Sequence, residues 1–153
     1  MKIYQLVYKQ NIRVDIQTVW SFFSNPSNLK NITPPSMGFD IVFAKPEEMY
    51  DGQIIVYKVS PLLGIKMTWV TEISHVNNPH YFVDEQRIGP YAFWYHEHFF
   101  NTIENGTEII DKIHYGIPMG LVGQLMNPLM VKPKLKTIFD YRKQRISEIF
   151  GSF

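Results

Sequence analysis

The chain has 153 residues, 45% of them hydrophobic and 19% charged, enough apolar material for one globular domain spanning residues 1–153 with a core and room for a cavity. Fifteen basic and 14 acidic side chains leave a formal charge of +1, with only a modest basic cluster over residues 132–145, which argues against nucleic acid as the main partner. The absence of cysteine excludes a disulfide scaffold, a thiolate metal site and a cysteine nucleophile.

Residues 3–13 alternate, with Tyr4, Leu6, Tyr8 and Ile12 on one side and Gln5, Lys9 and Asn11 on the other, the pattern of a strand. No apolar signal core precedes it, so the expected compartment is the cytoplasm. Asp15 is placed as the N-cap of a helix carrying Val19, Trp20, Phe22 and Phe23, and Pro26 ends that helix or begins a second short one through Leu29. Thr33-Pro34-Pro35 breaks the helical region, and strands are predicted near 39–44, 53–60, 65–76, 80–88, 93–104 and 107–117.

After the last strand, residues 117–131 are apolar but interrupted by Gln124, Asn127 and Pro128, and they fall short of the roughly 20 residues a membrane span needs. No transmembrane segment is expected. Met119, Leu121, Leu125, Met126, Leu129 and Met130 make a soft apolar surface there, suited to packing. The period then changes: Leu135, Ile138, Phe139, Arg142, Ile146, Ile149 and Phe150 form one stripe of a long terminal helix, with Pro128 and Pro133 kinking its start.

The turns set which side chains share a face. A two-residue turn at Asn105-Gly106 puts Phe100 opposite Asp111, His98 opposite Ile113 and His96 opposite Tyr115. A tight turn at Val76-Asn77-Asn78-Pro79 puts Ile73 opposite Phe82, Thr71 opposite Asp84 and Trp69 opposite Gln86. A five-residue connection over 89–93 then sets Gln86 opposite His96 and Asp84 opposite His98, whereas a loop one residue longer or shorter would turn the histidines to the other face. In this register one face carries Trp69, Thr71, Asp84, Gln86, Trp94, His96, His98, Asp111 and Tyr115 among Ile and Phe, while Glu72, Glu85, Arg87, Glu97, Glu108 and Lys112 collect on the other. The first face is therefore expected to be the interior.

Ionised Asp84 and Asp111 buried among aromatic rings would each cost on the order of several kcal/mol without partners. In the expected register the histidines are the only cationic candidates on that face, and Asp84 with His98 is the expected pair, which favours the imidazolium.

One strand, two short helices, a six-stranded meander and a long terminal helix form the element order of the START-like superfamily, also called SRPBCC, the polyketide cyclase and lipid-transport group. Ile32-Thr33-Pro34-Pro35, the run from Phe82-Val83-Asp84-Glu85-Gln86 to Gly89-Pro90-Tyr91, Trp94-Tyr95-His96-Glu97-His98 and Tyr115-Gly116-Ile117-Pro118 resemble a bacterial branch of it. The resemblance covers essentially the whole chain. It implies an α+β helix-grip fold, with a curved antiparallel sheet of about seven strands wrapped around the terminal helix, and a cavity for a small hydrophobic molecule of lipid, polyketide or aromatic type.

Residues and resemblance together lead to binding of a largely apolar ligand with one polar group as the leading expectation. Its contacts would be Trp69, Thr71, Asp84, Gln86, Trp94, His96, His98, Asp111 and Tyr115. The alternative is a cyclase or dehydratase using Asp84, His96, His98 and Asp111 for acid–base chemistry. His-x-His with an aspartate is a workable zinc set, but no further ligand spacing supports it, so neither metal nor cofactor is expected. Phosphate-cradling glycine loops and a Gly-x-Ser-x-Gly element are both missing from the sequence.

Overall fold

The computed structural model describes residues 1–44, 48–60 and 64–153. Its elements follow the order β1 (Ile3–Ile12), α1 (Ile16–Phe23), two 3₁₀ turns (Pro26–Ile32 and Pro35–Met37), β2 (Asp40–Phe43), β3 (Gln53–Val59), β4 (Met67–Asn77), β5 (Tyr81–Ile88), β6 (Phe93–Ile103), β7 (Gly106–Gly116), α2 (Gly120–Met126), a π turn (Asn127–Val131) and α3 (Lys132–Phe150). The strands make one antiparallel sheet in the order β1-β7-β6-β5-β4-β3-β2, so the first strand closes against the last and the rest is a meander. This is the helix-grip fold.

Local chemistry explains the helical pieces. Asp15 caps α1, its Oδ1 accepting from the Thr18 amide at 3.0 Å and its Oδ2 from the Thr18 hydroxyl at 2.7 Å. The helix buries Val19 and Trp20, and the indole meets Phe82 and Phe100 edge-on. Pro133 falls in the first turn of α3, where its missing N–H costs nothing. Pro128 lies within the π turn, in which the Lys132 amide reaches back to the Asn127 carbonyl. Along α3, Leu135, Phe139 and Ile146 are buried, and Phe139 stacks on Tyr8 at 4.6 Å between centroids.

Beside the polar cluster all three expected registers are displaced by two residues. Across β6 and β7, His98 faces Asp111, His96 faces Ile113 and Trp94 faces Tyr115. The turn is Glu104-Asn105, closed by Ile103 opposite Gly106, and Asn105 takes the left-handed conformation with φ 63°. Gly106 belongs to β7, where an added Cβ would lie 2.0 Å from the Ile12 carbonyl oxygen. The glycine therefore serves the close approach of β1, and reading it as a turn centre misplaced the register.

Between β4 and β5, Asn77 pairs with Tyr81, so the connection is residues 78–80, and Thr71 faces Gln86 while Ile73 faces Asp84. An irregularity between Ile73 and His75 then sets Val76 opposite Phe82. Between β5 and β6, Asp84 faces His96 and Phe82 faces His98. Displacement by two residues exchanges partners but preserves the face, so Asp84, His96, His98 and Asp111 all point inward.

Gly106→Ala should lower unfolding stability by about 2 kcal/mol through the clash with β1. Asn105→Gly should be near neutral, since glycine accepts the same positive φ. Denaturant titration of both variants checks the pair; an unaffected Gly106→Ala would contradict this account of the turn.

Candidate functional site

Four neighbouring elements assemble the polar cluster: β5 supplies Asp84, β6 supplies His96 and His98, β7 supplies Asp111, and α3 supplies Arg142. Each imidazole lies between the two carboxylates. Asp84 Oδ2 is 2.8 Å from His98 Nε2 and 3.2 Å from His96 Nδ1. Asp111 Oδ1 is 2.8 Å from His96 Nε2 and 3.0 Å from His98 Nδ1. The last contact is close but not aligned for hydrogen bonding, and His98 Nδ1 makes no hydrogen bond. The imidazole centroids are 3.8 Å apart, and His98 stacks on Phe82 at 4.1 Å.

Two further contacts complete the cluster. Trp94 Nε1–H donates to Asp84 Oδ1 at 3.1 Å, and an Arg142 Nη donates to Asp111 Oδ1 at 3.4 Å. Arg142 also lies over Phe139, 4.8 Å from the ring centre. Sequence reasoning assigned the cations of this face to the histidines alone, and Arg142 corrects that. Its signal was its place in the apolar stripe of the terminal helix, where a charged residue has to meet a partner on the sheet.

Burial pushes the Asp84 carboxyl up, but the charge and hydrogen bonds of His96 and His98 outweigh it and hold the carboxyl well below its ordinary value. Asp111 behaves likewise: burial raises it, while the hydrogen bond with His96, the close approach of His98 and the Arg142 charge bring it far down. For His96 burial acts downward, and Asp84 and Asp111 together raise it above its ordinary value. Two carboxylates thus face the Arg142 guanidinium and an imidazole, His96, whose charged form they favour, which offsets much of the penalty of burying either sign alone.

A cavity of about 150 Å³ lies between sheet and α3, and Trp69, Thr71, Asp84, Trp94, His96 and His98 of the predicted residues line it. The other three stand elsewhere. Asp111 sits behind the imidazoles and fixes them. Gln86 clasps the backbone of Tyr91, its Nε2 donating to the carbonyl at 2.7 Å and its Oε1 accepting from the amide at 3.1 Å. The Tyr115 hydroxyl donates to Asn127 Oδ1 at 2.9 Å and ties β7 to the π turn. Sequence reasoning missed Tyr57, Tyr91 and Arg142 as lining residues. Tyr91 in particular lay in a segment read only as a turn. Burial raises the Tyr57 and Tyr91 phenols, so both stay protonated.

One nitrogen from each histidine and an Asp84 oxygen lie within 4.8 Å of one another, the only group of this kind among the described residues. A metal there would have to displace the hydrogen bonds to Asp84, while Asp111 would be left to orient both rings from behind. No helix among the described residues is long and apolar enough to cross a membrane.

No family model matches the chain, and no curated protein is similar to it in sequence. Solved structures are. The major latex-like protein 151 of Panax ginseng aligns with a TM-score of 0.71 at 15% identity, covering 97% of both chains. Protein Ms6760 of Mycobacterium smegmatis aligns at 0.65 and 16% identity over 97% of this chain and 98% of its own. Protein TTHA0849 of Thermus thermophilus aligns at 0.67 and 14% identity over 95% and 99%. These likenesses bear out the helix-grip, START-like fold.

The pKa directions fix the pH dependence of stability. The carboxylates, depressed below 3.8, contribute stability that is present above that pH and lost as pH falls through their folded values. His96, raised above 6.5, contributes stability present below that pH and lost as pH rises through its folded value. Thermal melts should therefore show a maximum between the two windows and a fall on either side. Asp111→Asn should cost about 3 kcal/mol, because it removes the negative charge that faces buried His96 and Arg142. A melting temperature flat across both windows would count against the ionised cluster.

Proposed function

We propose that the protein binds a small, largely apolar molecule carrying one hydrogen-bond acceptor, held in the cavity against the aspartate–histidine wall. The observation that carries this reading is the pairing of an aromatic hollow with buried donors that lack partners. Trp69 and Arg142 both line the cavity, and Trp69 Nε1 and Arg142 Nε make no hydrogen bond among the described residues. A buried donor left unmade costs about 1–3 kcal/mol, so an acceptor delivered by a ligand recovers real free energy. The cavity of about 150 Å³ matches the space that accepts a single benzene-sized ring. A compact aromatic or alicyclic body fits better than a long acyl chain. The indoles of Trp69 and Trp94, which meet edge-to-face at 5.5 Å, give it an aromatic border with one ring perpendicular to the other.

The same wall carries the groups a cyclase or dehydratase would use, and the geometry weighs against turnover. Both ring nitrogens of His96 and Nε2 of His98 are already engaged by carboxylates, and His98 Nδ1, the one imidazole nitrogen of the pair without a hydrogen bond, lies 3.0 Å from Asp111 Oδ1. The polar wall is suited to recognising a ligand with little reorganisation.

Acetophenone and ethylbenzene make the test, since they share size and differ by the carbonyl. Titration followed by tryptophan fluorescence should show acetophenone binding about fivefold tighter, the value of one added hydrogen bond. Trp69→Phe, which keeps the ring and removes the indole N–H, should erase the preference. Failure of both compounds to bind, together with no small molecule retained in native mass spectrometry of protein from its own host, would remove the reading.

A further inference from the structure

A helix on a protein surface normally turns its charged residues to water. Residues 118–136 do the reverse. Gly123, Asn127, Val131 and Leu135, spaced four apart, are buried against the rest of the fold. On the opposite side stand Leu121, Val122, Leu125 and Leu129, exposed by 77%, 55%, 70% and 73%, with Met119 beside them at 75%. No charged residue occurs between Gly116 and Lys132. The exposed stripe then continues onto Lys132 and Lys136, both open to solvent, with Lys136 paired to Asp140.

The end of the sheet from which this segment leaves also carries exposed apolar residues. Ile3 of β1 and Phe93 of β6 both lie opposite Gly116, the last residue of β7, and both are exposed. Ile88 at the end of β5 and Ile65 just before β4 belong to the same end of the sheet and are exposed as well. Lys2 and Lys66 flank Ile3 and Ile65 and are exposed too.

An apolar ridge bordered by lysines has the anatomy of an element that lies in a membrane interface, with leucines at the acyl boundary and ammonium groups among anionic headgroups. The ridge of a second copy offers no acidic group to meet these lysines, since neither Asp nor Glu occurs between Gly116 and Asp140, whereas an anionic headgroup layer does. The structure therefore favours lipid over self-association. We propose that the ridge over residues 117–129 docks the protein onto an anionic bilayer surface, with Lys132 as its electrostatic contact. This inference rests on the exposed ridge alone and stands independently of what the cavity holds.

The test is flotation of the full chain with vesicles of phosphatidylcholine plus phosphatidylglycerol, against phosphatidylcholine alone. Binding is expected to the anionic vesicles and to be much weaker to the neutral ones. Leu121→Ser with Leu125→Ser should weaken it about tenfold or more. Lys132→Gln should weaken it about fivefold. All three side chains are exposed, so circular dichroism and acetophenone titration of the variants should match the parent chain. Absence of flotation with anionic vesicles would overturn the proposal, as would flotation that both variants leave unchanged. A dimer that the double leucine variant dissolves, without any vesicle binding, would overturn it in favour of self-association.

Discussion

The interior of this fold is organised around a shared desolvation problem. Two carboxylates sit on adjacent parts of one sheet face, and neither is tolerable there without cations. The answer is reciprocal: each imidazole lies between both acids, and Arg142 comes across from α3 to the second acid. Removing any one member leaves a buried charge behind, so the cluster constrains sheet register and helix rotation together. A one-residue rotation of α3 would carry Arg142 away from Asp111 and leave hydrocarbon there instead.

That constraint also explains why the space above the cluster stays hollow. Filling it with aliphatic side chains from α3 would seal the polar wall under hydrocarbon and leave the Trp69 and Arg142 donors permanently unmade. Trp69, Tyr91 and Trp94 instead pack edge-on or tilted against one another, at 5.5, 5.7 and 4.8 Å, which props the wall without occupying the middle. The exposed leucines of α2 lie outside the cavity lining, on a helix that continues through the π turn into α3 and is tied to β7 by the buried bond between Tyr115 and Asn127.

Much of this was legible in the residue order. Period-two alternation placed the strands within a few residues, and the Asp15 cap and the stripe from Leu135 to Phe150 placed the main helices. Around the polar cluster the side-chain faces were also correct, because each error in register there was two residues; beyond the irregularity in β4 it becomes three, at Phe82. The partners were wrong for a local reason. Gly106 carries no turn signal in the fold; it makes room for the carbonyl of Ile12, a contact between residues far apart in sequence that no short-range pattern reveals. Gln86 and Tyr115 have the polarity of ligand contacts but spend it within the protein, on a loop backbone and on Asn127. Arg142 was readable as a helical residue, yet its acid lies on a strand and the pairing exists only once the helix is laid across the sheet.

The outermost strands of the sheet differ in kind. β2 is four residues long and irregular between Ile41 and Phe43, whereas β1 runs for ten residues without a break. Recruitment of a foreign strand, the first step toward fibrous aggregates, therefore has only the β1 side open to it. There Lys9 lies within the strand, with Lys2 and Arg13 at its flanks. Identical chains approaching along that edge would meet like charges before their backbones could pair.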